Sequence, residues 1–531
     1  MSRSEPLSMI AASFSLTLAG VIVAAGGAGC GSSHADSGFN AGQSSGSSGG
    51  SSDGSASGGD ATSPADTDSG YGKFPEGGGA PPKPPQEAGV GCTNLQCNIP
   101  VCDAGTSTTI TGKVLDPAGN NGLYNVVVFV PNTQGGALPL IPRGVNTASC
   151  SCGDLFQGED PVVDTLTAAD GTFTLANVPA GKSVPLVVQI GKWRKEIILP
   201  TVNPCQANAA GNINLPRNGG DGMFASIPNM AVSTGSADTL ECLLTRIGVD
   251  PAEFSGDPNT ASAHVHVFQG GTAGFPGLGN STVNPSSPTA STSLWDSDGD
   301  LERYDIVLLS CEGQPTNGAN PQTVSDYVTK GGRVFAEHFH YQFFANQAQF
   351  PNTANWTPGG AYPNPITGSV QTTLLNGQPF PEGQALETWL TDVGALTSNV
   401  LPIQVARQDA TVVAANVSTP WVVSGPGISP ASTQYFSWDM PFNPPKDDAG
   451  VPEYCGRVVF SDLHVSGGGS SSEDYTSSTV VPTGCAATTK LSPDEDALEF
   501  ILFDLSSCVT PIGFPPKPPP PQPMPEAGMA Q

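Results

Sequence analysis

Basic residues are scarce in this 531-residue chain. Nineteen Lys and Arg stand against 47 Asp and Glu, for a net charge of −28. A nucleic-acid binder needs a basic surface to meet phosphate, so that class is excluded. Only 12% of the residues are charged, and low charge with an acidic balance fits an extracytoplasmic protein. Histidine is rarer still, at 6, so imidazoles that converge carry weight. Paired C-x-x-C units are also missing. The cysteines at 92, 97, 102 and at 150, 152 do not have zinc-ribbon spacing, which leaves disulfides.

Gly (65) and Pro (51) are abundant, about a fifth of the chain against roughly 12% in average usage. The length permits two or three domains, but much of this excess lies outside any periodic segment. Residues 1–30 have the form of an export signal: Arg3, an apolar run from Met9 to Ala25, then Gly26-Gly27-Ala28-Gly29-Cys30. Small residues before a cysteine resemble a bacterial lipoprotein signal, which implies lipidation of Cys30 and a membrane partner. Gly27 stands where Leu is usual. An ordinary secretory signal and a short membrane anchor are the other readings. Residues 31–90 run from Ser, Gly, Asp and Ala into Pro-Pro-Lys-Pro-Pro at 81–85. They bury too little apolar surface to offset backbone entropy, so a disordered tether is expected. The same five residues recur at 515–519, in a Pro-rich tail over 509–531.

Twelve cysteines leave 11 if Cys30 carries lipid. In an oxidising compartment most should pair, and an odd number leaves one thiol over or an intermolecular bridge. Cys311 is the candidate free nucleophile. A bridge from Cys311 to Cys242 is the alternative.

Residues 91–217 read as all-β. Thr109 to Leu115 alternates, Asp116 to Gly122 is dense in turn residues, and Leu123 to Val130 is a strong strand. From 227 to 508 strands and helices alternate, which indicates a doubly wound sheet. Its centre is Tyr304 to Phe344. Asp305 to Leu309 is a buried strand, Asn320-Pro321 opens a helix, Gly331-Gly332 stops it, and Arg333 to Ala336 is the next strand. Cys311, Glu312, His338 and His340 follow the two strand ends, the edge where open α/β sheets bind ligands. Another strand, Arg457 to Phe460, ends in Ser461-Asp462-Leu463-His464, and Ser492-Pro493-Asp494-Glu495 is a capping box for a last helix.

The stretches TITGKVLDPAGNNGLYNVVVFVPN and TAADGTFTLANVPAGKSVPLVVQIGKW resemble the carboxypeptidase regulatory-like, or transthyretin-like, β-sandwiches. That resemblance implies a non-catalytic module with a carbohydrate-binding-like fold. No residue there forms an obvious sugar platform, and Trp193 is expected in a core or interface. YDIVLLS, VSDYVTKGGRVFAEH and GRVVFSDLH resemble the class I glutamine amidotransferase-like superfamily, in its ThuA-like branch. This implies a flavodoxin-like fold. Glu337-His338 stands where that superfamily places its nucleophilic cysteine, so glutamine hydrolysis is not expected. His464 matches the region of the family's catalytic histidine.

The expected architecture is therefore a disordered linker, a transthyretin-like β-sandwich, a doubly wound α/β domain and a Pro-rich tail. The expected protein is an envelope-anchored lipoprotein, on the outer membrane or cell surface, that binds or scaffolds carbohydrate or cell-envelope material. The alternative is a metal-assisted or His-based hydrolase of a sugar-derived substrate. Its candidate catalytic residues are His464, His338, Glu312 and Cys311, with Asp462 as an orienting group. Its candidate metal ligands are His338, His340 and His464, a donor set for Zn²⁺ that leaves a water to be activated; His338 and His340, two apart on an extended segment, are expected to share a face. His264 and His266, two apart in a strand, are expected on a sheet surface. Asp296, Asp298 and Asp300 are expected in a solvated acidic turn.

Overall fold

Strand β1 (Thr109–Leu115) begins a β-rich region whose remaining strands are β2 (Val127–Pro131), β3 (Pro161–Leu166), β4 (Thr172–Ala176), β5 (Gly181–Ile190), β6 (Trp193–Val202), β7 (Ala207–Asn214) and β8 (Met223–Ser226). This computed structural model describes residues 92–516, except 134–137, 146–155, 157–160, 236–237, 239, 271–288, 317, 364, 449 and 466–489. The export signal, Cys30, the tether, Cys150, Cys152, Cys485 and most of the tail lie outside the described residues.

The eight strands form two sheets, of order β4-β1-β7 and β3-β2-β5-β6-β8. Alternation puts Phe173 and Leu175 of β4 inward and its three threonine and alanine neighbours outward. The Asp170-Gly171 turn works as its residues suggest. Gly171 has φ +84°, and a side chain there would meet the Val114 carbonyl at 2.5 Å. Two disulfides, Cys92–Cys97 and Cys102–Cys205, tie down the start of this region.

The second region runs β9 (Met230–Ser233), α1 (Leu240–Arg246), β10 (Phe254–Ser255), β11 (Val265–Gln269), β12 (Thr289–Ala290), α2 (Asp298–Leu301), β13 (Ile306–Leu309), α3 (Pro321–Thr329), β14 (Arg333–Glu337), β15 (Asn355–Trp356), β16 (Ile366–Val370), α4 (Pro381–Asp392), β17 (Leu401–Ile403), β18 (Val405–Ala406), β19 (Ala410–Thr411), β20 (Thr419–Ser424), β21 (Thr433–Met440), β22 (Gly456–Ser461), β23 (Leu463–His464) and α5 (Pro493–Ser506). Five strands, in the order β11-β9-β13-β14-β22, are mutually parallel. With the two-residue strands β10 and β12, which also pair parallel to β11, set aside, the order of appearance is 2-1-3-4-5. Four antiparallel strands, β21, β20, β16 and β17, extend the sheet beyond β22. The central strands β13 and β22 are buried along their whole length, because both faces are covered. The expected helix signals operate here. The Asn320 side chain accepts the Thr323 N–H, Pro321 opens α3, and Ser492 and Glu495 close a reciprocal capping box on α5.

The two regions share one hydrophobic cluster, and α5 occupies the seam. Its Phe500 stacks on Tyr124 with centroids 5.7 Å apart, and its Phe503 packs on Trp193 at the same distance. Trp193 is therefore an interface residue, as its sequence context suggests. Trp389 of α4 donates from Nε1 to the Gly122 carbonyl across the same seam, at 2.6 Å. Buried residues surround α5 on every side, a wider burial than the single apolar stripe of Leu498, Ile501, Leu502 and Leu505 implies. Among the described residues no helix is long and apolar enough to cross a membrane.

Candidate functional site

The carboxyl ends of β13, β14 and β22 are held level by their register, in which Leu309 pairs with Ala336 and Glu337 with Ser461. Glu337 is fully buried at that edge and accepts the Cys311 N–H at 2.9 Å. Burial pushes its carboxyl up to about 8, and a hydrogen bond from Asp238 joins it to a second carboxyl. Asp238 in turn accepts the Val465 N–H at 2.6 Å.

His338 is the next residue, and the chain turns sharply there. Its φ is +26°, in the left-handed region that side chains other than glycine rarely adopt. A 3₁₀ helix, His338–Phe343, begins with it. The Nδ1 of His338 hydrogen-bonds Asp409, while its Nε2 meets no partner among the described residues. Asp409 is clamped in turn. Its Oδ1 accepts the Gly359 N–H at 2.8 Å, and its own N–H donates to Asp462 Oδ2 at 2.7 Å. The His464 ring lies 5.6 Å from that of His338, centroid to centroid, and neither of its nitrogens meets a partner among the described residues.

All four groups, His338, Asp409, Asp462 and His464, are 2% exposed or less. Burial sets their protonation. It holds the His338 imidazole below its usual range despite the pull of Asp409, and His464 well below, with the charges of His338 and Arg407 adding to the effect. Burial and the adjoining Asp409 raise Asp462 well above the usual carboxylate range. Burial thus favours the uncharged forms of His338, His464 and Asp462. An imidazole with Nδ1 fixed by a carboxylate and Nε2 unspent has the arrangement of a general base. The atoms of His338, Asp409 and Asp462 that could ligate a metal all lie within 4.8 Å of one another.

The structure divides the residues that the sequence groups together. His338 and His340 do not share a face. They sit in a 3₁₀ turn of three residues per revolution, where positions two apart diverge, and not in an extended segment. His340 faces Glu312, with Nε2 3.7 Å from Oε1, and stacks on Phe343. Three histidines as a ligand set therefore give way to one histidine and two aspartates. Cys311 is disulfide-bonded and so is not a thiolate nucleophile. His264 and His266 are buried and not on a sheet surface. His264 bonds Glu253 at 2.5 Å through Nδ1, and His266 bonds the Tyr304 hydroxyl at 3.1 Å. Asp298 and Asp300 fall in the short helix α2. Asp409 is the residue that sequence reasoning passed over. It lies in a loop, in no motif, and only the fold carries it to His338.

No family model matches the chain, and no curated protein matches it. Among solved structures, a 9R-lipoxygenase from Cyanothece PCC8801 is similar at 14% identity over 22% of this chain, with a TM-score of 0.14. The match spans 17% of the lipoxygenase's length. Two interface mutants of a type II cohesin–X-dockerin complex from Acetivibrio cellulolyticus are similar at 14% and 13% identity. Each covers 30% of this chain and 88% of the other, with a TM-score of 0.15. Overlaps this slight fix neither a fold nor a function.

Proposed function

We propose that the chain is an exported, lipid-anchored envelope protein whose α/β half is a histidine-based hydrolase acting on a sugar-derived substrate. One observation carries this reading. His338, at the end of a central parallel strand, is held in a left-handed conformation with Asp409 on Nδ1 and an unspent Nε2. Strained backbone and unsatisfied buried nitrogen both cost stability, and such costs concentrate at working sites. The 2-1-3-4-5 strand order supports a flavodoxin-like, ThuA-like assignment, and the site stands on the strand edge where that fold binds ligands. The two-sheet region ahead of it fits a transthyretin-like sandwich acting as a non-catalytic module.

The test is turnover of chromogenic glycoside and ester substrates by the whole chain, beside His338→Ala, Asp409→Asn, His464→Ala and a distant control, His264→Ala. Loss of the base should lower the rate by about 10²- to 10⁴-fold, with the control near wild type. Turnover that survives His338→Ala rules the reading out.

The depth of the site favours a second reading. Groups that are 2% exposed or less suit a catalytically silent domain in a protein that binds or scaffolds carbohydrate or envelope material. Carbohydrate bound by the folded chain without turnover of any substrate supports that reading.

A further inference from the structure

We propose that His338, Asp409 and Asp462, with His464 beside them, bind one first-row divalent cation of the zinc class. The three donors come from separate elements: the turn after β14, the loop before β19 and the turn between β22 and β23. They still bring their ligating atoms within 4.8 Å of one another. Long-range folding assembles the set, since no two of its members sit on one helix or one hairpin.

The surroundings supply an independent sign of a ligand. His338 Nε2, Asp462 Oδ1 and both nitrogens of His464 are buried without a partner among the described residues. Each such atom costs stability if nothing meets it. A cation accepts lone pairs from His338 and Asp462, whose ligating atoms lie within 4.8 Å of each other and of one on Asp409, and the His464 ring stands beside them. Two imidazole nitrogens at roughly 2.0–2.1 Å from a tetrahedral zinc place their ring centroids on the order of 5 Å apart, and the His338 and His464 rings are 5.6 Å apart at an interplanar angle of 62°. A neutral imidazole carries one proton, so either nitrogen of His338 can serve as the ligand while the other is protonated.

The carboxylates are oriented by the backbone. The Asp409 and Ala410 N–H groups donate to Asp462 Oδ2, at 2.7 and 3.4 Å, and the Gly359 N–H donates to Asp409 Oδ1 at 2.8 Å. Fixed outer hydrogen bonds of this kind hold ligands in place for a metal. Mixed imidazole and carboxylate donors select zinc, manganese or iron(II). Calcium needs six to eight oxygens, which are not gathered here. Arg407 is the opposing charge in the neighbourhood.

The inference uses the site of the hydrolase reading but not its chemistry, because an ion can bind where nothing is turned over. The test takes the whole chain, stripped with chelator, dialysed separately against Zn²⁺, Mn²⁺ and Co²⁺, and analysed for metal content. About one ion per chain is expected, with Zn²⁺ raising the unfolding temperature and Co²⁺ showing a visible band of nitrogen and oxygen ligation. Asp462→Asn and His338→Gln should each weaken binding about tenfold or more, and His264→Gln should leave it unchanged. A folded wild-type chain without stoichiometric metal overturns the inference. So does full metal content with unchanged affinity in both variants. If neither variant folds, the wild-type chain decides: no Zn²⁺-dependent rise in unfolding temperature, or a cobalt spectrum of thiolate ligation, overturns it. Turnover that persists in chelator, beside bound metal that depends on Asp462, would separate the two readings.

Discussion

Asn121 of the turn after β1 donates from Nδ2 to Glu499 of α5 at 2.6 Å, across the seam between the two regions. Asp116 of the same turn accepts the Asn120 N–H at 2.8 Å. Burial raises both groups, and the Asp116 charge raises Glu499 further.

These two raised carboxyls belong to a wider pattern that sets how stability varies with pH. Burial pushes Glu337 and Glu382 up to about 8, and Glu241 and Asp496 up to about 7. Groups raised in this way hold protons that the unfolded chain has already released, so they favour folding below the ordinary carboxylate range and lose that effect as pH rises. His338 and His464, held low, act in the opposite sense, but only below the usual histidine range. Between about pH 6.5 and 8 the carboxyls alone decide the slope. The unfolding temperature should fall across that window, by on the order of 5 °C. Calorimetry in matched buffers checks it, and a flat or rising trend would refute it.

Arg457 is the buried cation of the β22 edge. Its Nε donates to Asp439 Oδ1 at 2.6 Å and its Nη1 to Asp504 Oδ2 at 3.0 Å, with both carboxylates buried. Arg457→Met leaves two buried acids without their cation and should cost about 3–5 kcal/mol in urea unfolding. Adding Asp439→Asn and Asp504→Asn should restore part of that loss. A single variant as stable as wild type would mean the network contributes nothing.

The two disulfides at the start of the β-rich region differ in the length of chain they close. Cys102–Cys205 spans 103 residues and Cys92–Cys97 spans 5. In the chain-entropy account that contrast makes the long bridge worth roughly 3 kcal/mol more. Cys102→Ser/Cys205→Ser should therefore lower stability by that much more than Cys92→Ser/Cys97→Ser. Equal losses in denaturant unfolding would show that the bridges act through native contacts instead.

Local signals in the sequence translated directly. Asn320-Pro321 caps α3, Ser492 to Glu495 forms the capping box, and the apolar run at Ile306–Leu309 is a strand buried on both faces. Each rests on chemistry within a few residues. The candidate site was only half legible, because Glu337, His338 and His464 stand at strand ends while Asp409 reaches them through a contact 71 residues away from His338. The pairing of His338 with His340 failed for a local reason. Two residues apart means the same face in a strand and different faces in a 3₁₀ turn. The positive φ that separates them has no signature in the residue types.

The place of α5 in the seam also bears on the order in which the chain can mature. A ribosome delivers residues 493–506 after every described strand of both regions, yet Tyr124, Trp193 and Trp389 pack on Phe500 and Phe503. The earlier strands therefore wait for α5 before that apolar surface is covered. Closing the seam is a late step relative to both sheets. A chain truncated before residue 493 would leave the seam uncovered in both regions at once.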